Sequence, residues 1–129
     1  MASKRIRLGY IQMNVWTKGT PFFSDWWFQE TDKQYKDAIK ECKPKQVILP
    51  AGNKYTLEID YPLSKSFTVK IDTGEKGMTR EDVVELIVNS YKEIYENDEQ
   101  YGVWGHEFGD LILAYLVVDG HKLSTVVDS

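Results

Sequence analysis

Residues 101–110 combine three glycines with Tyr, Trp, His and Phe side chains and with two carboxylates. His106 is followed directly by Glu107, and Asp110 lies one helical turn further along. A histidine that a carboxylate orients is a common pair for general acid–base catalysis, because its pKa lies near neutrality. The segment therefore supports a catalytic hypothesis, in which His106 transfers a proton and Glu107 or Asp110 orients its ring.

Two other interpretations of residues 101–110 stay open. In the first, the loop is a shaped connection from helix to strand, since glycine adopts backbone conformations that other residues resist. Trp104 and Phe108 would then cover the end of the core, and His106 would hydrogen-bond to the backbone. In the second, Trp104 and His106 belong to a surface that binds a partner.

A metal site is not predicted from these residues. His106 and Glu107 resemble the start of a His-Glu-x-x-His zinc motif, but Asp110 stands where the second histidine is required. The neighbouring glycines also disfavour the helix on which that motif depends. His121 is separated from His106 by a predicted strand, which places it about 25 Å away, and Cys42 is the only cysteine. We expect neither a metal nor another cofactor.

An aromatic tract at residues 16–28 is the second unusual segment, and it has neither helical nor strand periodicity. Trp26 and Trp27 lie near its C-terminal end. Exposed, they could stack against sugar rings or nucleobases; buried, the tract would form a lid over one end of the core. Nucleic-acid binding is disfavoured, because the chain carries a net charge of −4 rather than a strongly basic footprint.

Composition indicates one globular domain spanning residues 1–129, with 42% hydrophobic and 28% charged residues. Most basic residues lie within residues 1–70 and most acidic residues within 71–129, although one fold would interleave these halves. No apolar run has the length of a membrane span, and the N-terminus does not have the pattern of a signal peptide. With a single cysteine, this predicts a cytoplasmic or nuclear protein without membrane association.

The elements that position these residues are a long helix and a set of strands. Residues 79–97 form an amphipathic helix with Thr79 as its cap, and one stripe of that helix contains Val84, Ile87, Val88, Tyr91, Ile94 and Tyr95. A shorter helix is predicted at 31–42. Alternating segments predict strands at 5–15, 55–60, 67–72 and 122–127, a buried strand at 111–118, and a bulge near residues 10–11. The predicted fold is α+β, with one antiparallel sheet of five or six strands and the long helix on one face.

No catalytic motif identifies the chain as an enzyme, so the sequence favours a non-catalytic intracellular module that binds a partner protein. The candidate binding residues are Trp26, Trp27, Trp104 and His106. The alternatives are a small hydrolase-like or ligand-binding enzyme that uses His106, and a carbohydrate or nucleic-acid binder that uses Trp26 and Trp27. The oligomeric state does not follow from the sequence.

Overall fold

The computed structural model describes residues 3–19, 40 and 42–128. Trp26, Trp27 and nearly all of the predicted 31–42 helix lie outside these residues. In chain order the described elements are β1 (Lys4–Gln12), β2 (Val47–Leu49), β3 (Lys54–Ile59), β4 (Phe67–Asp72), β5 (Met78–Thr79), the helices α1 (Arg80–Glu96) and α2 (Asp98–Tyr101), a 3₁₀ turn (Phe108–Asp110), β6 (Ile112–Asp119) and β7 (Lys122–Asp128).

The main sheet has five strands in the order β1-β6-β7-β3-β4, so the α+β class is confirmed. The prediction of a single, purely antiparallel sheet is wrong. β3 runs parallel to β7, through the pairs Thr56↔Lys122 and Leu57↔Leu123, and β2 and β5 form a separate two-stranded sheet. Alternating hydrophobicity shows which face of a strand is buried, but it does not show which strand lies beside it or in which direction.

The predicted strand irregularity and helix cap are both confirmed. The register of β1 against β6 shifts between Arg7 and Ile11, which returns Ile11 to the core after the bulge. At the start of α1, the Asp82 amide donates to Thr79 Oγ1 (3.2 Å) and the Thr79 amide donates to Asp82 Oδ2 (3.1 Å). This reciprocal capping box satisfies two amides that have no partner within the helix.

The core lies between α1 and one face of the five-stranded sheet. Ile87, Tyr91 and Ile94 are all 0% exposed, and they belong to the same buried cluster as Leu113 and Leu116 of β6. Their predicted burial is therefore confirmed. Cys42 is also buried, and it belongs to the same cluster. No helix among the described residues is long and apolar enough to cross a membrane.

Candidate binding surface at the glycine-rich loop

The loop after α2 is fixed to the β3–β4 connection by backbone contacts. The Ser64 and Lys65 amides both donate to Tyr101 O (3.1 Å each), and the Trp104 amide donates to Pro62 O (3.0 Å). Gly102 has φ +63°, and a Cβ there would lie 2.7 Å from Ser64 Cβ. A glycine is therefore required for this close approach, and the loop holds its shape against a second segment.

Among the described residues, three rings meet where the two segments touch, and we call Tyr61, Trp104 and His106 the aromatic cluster. The Tyr61 and Trp104 rings are 5.8 Å apart at 83°, an edge-to-face contact. The His106 ring lies 5.6 Å from Tyr61 and 6.2 Å from Trp104. These separations are within the range for direct aromatic packing, so the rings support one another.

Trp104 is the exposed member of the aromatic cluster. It is 51% exposed, whereas tryptophan side chains are highly buried on average. The interpretation that Trp104 covers the end of the core is therefore wrong, because the loop directs half of this side chain to solvent. Phe108 does pack against the core, and its ring stacks on Tyr95 at 5.3 Å.

Two tyrosines of α1 hold the aromatic cluster from below. The Tyr91 hydroxyl donates to Tyr61 O (2.8 Å), and the Tyr95 hydroxyl donates to His106 O (3.1 Å). The two tyrosines are one helical turn apart, so they lie on the same face of α1. The sequence assigned both rings to the apolar stripe and missed the role of their hydroxyls. The available sequence signal for this role was the pair of tyrosines four residues apart on the predicted helix.

Burial raises the pKa of both hydroxyls. Desolvation raises the pKa of Tyr91 far above its usual value. Desolvation, together with the negative charge of Asp110 and with Tyr61, raises the pKa of Tyr95 to about 12. Both groups therefore keep their protons, and their hydrogen bonds to the aromatic cluster, to a higher pH than an exposed tyrosine would.

Asp110, one of the predicted catalytic carboxylates, takes part in a backbone turn. Its Oδ2 accepts the Glu107 amide (3.0 Å), and the Asp110 amide donates to Glu107 O (3.0 Å), which closes the 3₁₀ turn. The backbone carbonyl of His106 accepts from the Tyr95 hydroxyl.

His121 lies near the other end of β3, beside Lys54. Its Nδ1 is 2.9 Å from Lys54 O, and its ring lies 5.8 Å from that of Tyr55. The aromatic cluster, by contrast, adjoins Tyr61, just beyond the last residue of β3. The described residues contain no group of three or more His, Cys, Asp or Glu side chains arranged to hold a metal ion.

The surroundings of the aromatic cluster are acidic. Residues 93–110, which include the end of α1, α2 and the loop, contain no Lys or Arg. Their six carboxylates are all exposed: Glu93, Glu96, Asp98, Glu99, Glu107 and Asp110. On the β3–β4 connection, Asp60 and Lys65 are both exposed and offset each other. The exposed Trp104 face therefore lies in a field that favours cations.

Comparisons with protein-family models, with curated proteins and with solved structures give no match. The function must therefore be argued from the geometry of this chain.

Proposed function

We propose that this protein is a non-catalytic binding module, and that its aromatic cluster binds a basic, extended segment of a partner protein. The single observation that carries the proposal is the half-exposed Trp104, held at the surface by a loop that backbone hydrogen bonds join to the β3–β4 connection. Fixing the ring in the unbound protein lowers the entropy cost of association.

A basic partner follows from the chemistry around Trp104. An indole face attracts a guanidinium or ammonium group by about 0.5–1 kcal/mol at an exposed site, and by more when the pair is desolvated. The exposed carboxylates of residues 93–110 would steer such a group toward the ring. Aromatic and Arg side chains are also the residue types that most often dominate protein interfaces.

The catalytic hypothesis for His106 with Glu107 or Asp110 stays a prediction, and the geometry supports it less well. General acid–base catalysis requires a base that is held in a defined orientation toward the substrate. Both carboxylates here adjoin a short turn, and Asp110 accepts a backbone amide in it. The stacking hypothesis for Trp26 and Trp27 concerns residues outside the described range.

The binding test uses a short capped peptide in which arginine alternates with serine. We expect saturable amide shifts in isotope-labelled protein, confined to residues 61–65 and 101–108. The matched peptide with glutamine in place of arginine should bind at least about tenfold more weakly, because it lacks the cation.

Trp104→Ala should abolish these shifts, whereas Val15→Ala should not. Val15 is 61% exposed and therefore serves as a surface control. The thermal midpoint of each variant shows that the fold is retained. Equal binding of the two peptides, or unchanged binding by Trp104→Ala, would contradict the proposal.

A further inference from the structure

Arg80, the first residue of α1, is a buried cation without an acidic partner. It is only 3% exposed. Its Nε donates to Arg7 O (2.9 Å), and its Nη1 donates to Lys43 O (2.8 Å) and to Gln46 Oε1 (2.8 Å). All three acceptors are neutral, and among the described residues no carboxylate forms an ion pair with this guanidinium. A buried charge is costly unless an opposite charge offsets it, so this arrangement requires an explanation.

The two carboxylates that follow Arg80 in the sequence are already engaged. Glu81 pairs with Lys45 at 2.8 Å, and Asp82 caps the helix through the Thr79 amide. The second terminal nitrogen of Arg80, Nη2, donates to no protein group among the described residues. The guanidinium therefore retains one terminal group that can bind an external acceptor.

Arg80 lines a groove of about 230 Å³ between the edge of β1 and β2, which we call the Arg80 groove. Its lining contains four cationic residues and no carboxylate: Lys4, Arg5, Ile6, Arg7, Gln46, Val47, Ile48 and Arg80. The volume is below the roughly 300–1,000 Å³ of sites for drug-sized ligands, which suits one small anionic group.

The Arg80 groove also adjoins the edge of β1 at Arg5 and Arg7. β1 is the first strand of the five-stranded sheet, and within the described residues it pairs only with β6. At this edge, Arg7 O already accepts from Arg80 Nε and from Cys42 Sγ. An extended segment laid beside Arg5 and Arg7 could pair with their remaining backbone groups while it presents an acidic side chain to Arg80.

We propose that the Arg80 groove is a carboxylate receptor, which binds a Glu or Asp side chain of an extended acidic segment from a partner protein. The planar guanidinium suits a carboxylate, and the incoming charge would offset the buried cation. This site lies at the opposite end of α1 from the aromatic cluster, so it does not depend on the function proposed above.

The test titrates labelled protein with a short capped peptide in which glutamate alternates with threonine. The expected result is a shift of the Arg80 Nε–H signal and of the amide signals of Arg5, Arg7 and Ile48. The matched glutamine peptide should produce none of these shifts. Inorganic phosphate at the same concentration should bind at least about tenfold more weakly, because it cannot pair with the strand edge.

Arg80→Lys keeps the charge but removes the planar fork, and it should weaken binding by about tenfold to a hundredfold. Lys70→Gln serves as control, because it removes an exposed cation on β4 at the opposite edge of the sheet. If Arg80→Lys does not fold, the proposal is tested by the shift of the Arg80 Nε–H signal in the parent protein alone. Equal binding of the glutamine peptide, equal binding of phosphate, or a silent Arg80 signal would overturn the proposal.

Discussion

Tyr91 and Tyr95 each belong both to the core and to the candidate surface. Their rings lie on the apolar face of α1, while their hydroxyls hold the carbonyls of Tyr61 and His106. A buried phenol needs a partner for its hydroxyl, and here a loop backbone supplies it. Because both bonds end on members of the aromatic cluster, the two tyrosines of α1 support the two rings that contact Trp104.

The raised pKa of Tyr95 predicts a loss of stability in alkaline solution. Its ordinary value is 10.0, and the folded value is about 12. Below pH 10 the hydroxyl is protonated in both states. Between pH 10 and 12 the unfolded chain releases this proton while the folded protein keeps it, so unfolding becomes more favourable as the pH rises. Denaturant midpoints measured across this range should fall.

Tyr95→Phe serves to assign this pH dependence. The variant cannot release the proton, so its midpoint should fall less steeply than that of the parent between pH 10 and 12. Both proteins also contain Tyr91, whose raised pKa contributes in the same direction. An equally steep decline in the variant would show that Tyr95 is not responsible.

At the level of elements, the loop after α2 is held by a close contact at Gly102. Gly102 and Gly105 have similar φ angles, +63° and +74°. A Cβ at Gly102 would lie 2.7 Å from Ser64 Cβ, whereas a Cβ at Gly105 would meet nothing within 4 Å. Alanine at either position strains the backbone, but only Gly102→Ala also forces the two segments apart.

We therefore expect Gly102→Ala to lower the free energy of unfolding by about 1–3 kcal/mol more than Gly105→Ala does, as overpacking does elsewhere. Denaturant unfolding of the two variants measures this difference directly. The Trp104 indole signal should also move more in Gly102→Ala. Equal midpoints would show that the loop moves away from Ser64 without a further loss of stability.

The long helix depends on its packing against the sheet. Ile87 is 0% exposed, so Ile87→Ala removes buried methyl groups and leaves a cavity. The expected cost is about 2–5 kcal/mol in the free energy of unfolding. Asn89→Ala changes an exposed position of the same helix and should stay within about 0.5 kcal/mol. A small effect of Ile87→Ala in denaturant unfolding would contradict the packing described above.

Local signals made the elements predictable from the sequence, but not their arrangement. The cap at Thr79 and the stripe through Ile87 act within a few residues, so the sequence was sufficient to place α1. The parallel pair Thr56↔Lys122 joins distant segments by backbone bonds, which no side-chain pattern encodes. Likewise, Arg80 carried no sequence signal, because its burial follows from β1, β2 and α1 meeting in space.

For the whole molecule, the charges at the C-terminal end of α1 run against the helix macrodipole, whereas those at its N-terminus are mixed. The helix gives its N-terminus a partial positive charge and its C-terminus a partial negative charge. Glu81 and Asp82 complement the first turn, which also contains Arg80, whereas the last turn contains no basic residue. The acidic C-terminal end therefore lowers the stability of the helix rather than adding to it.

Stability of the whole molecule should depend on neither a metal nor a disulfide. Cys42 is the single cysteine of the chain. We expect the thermal midpoint to stay unchanged with reductant or with a strong chelator. A drop of several degrees with chelator alone would reveal a metal that contributes to folding.

The parallel contact between β3 and β7 has a consequence for the order of folding. β3 and β4 are neighbours in sequence, as are β6 and β7, so each pair closes a short loop. Joining Thr56 to Lys122 instead closes a loop of about half the chain, whose entropy cost must be met before any contact forms. The contact should therefore form after both hairpins, and contacts absent from the transition state mainly set how fast the native protein unfolds. We therefore expect this contact to slow unfolding and to have little effect on the folding rate.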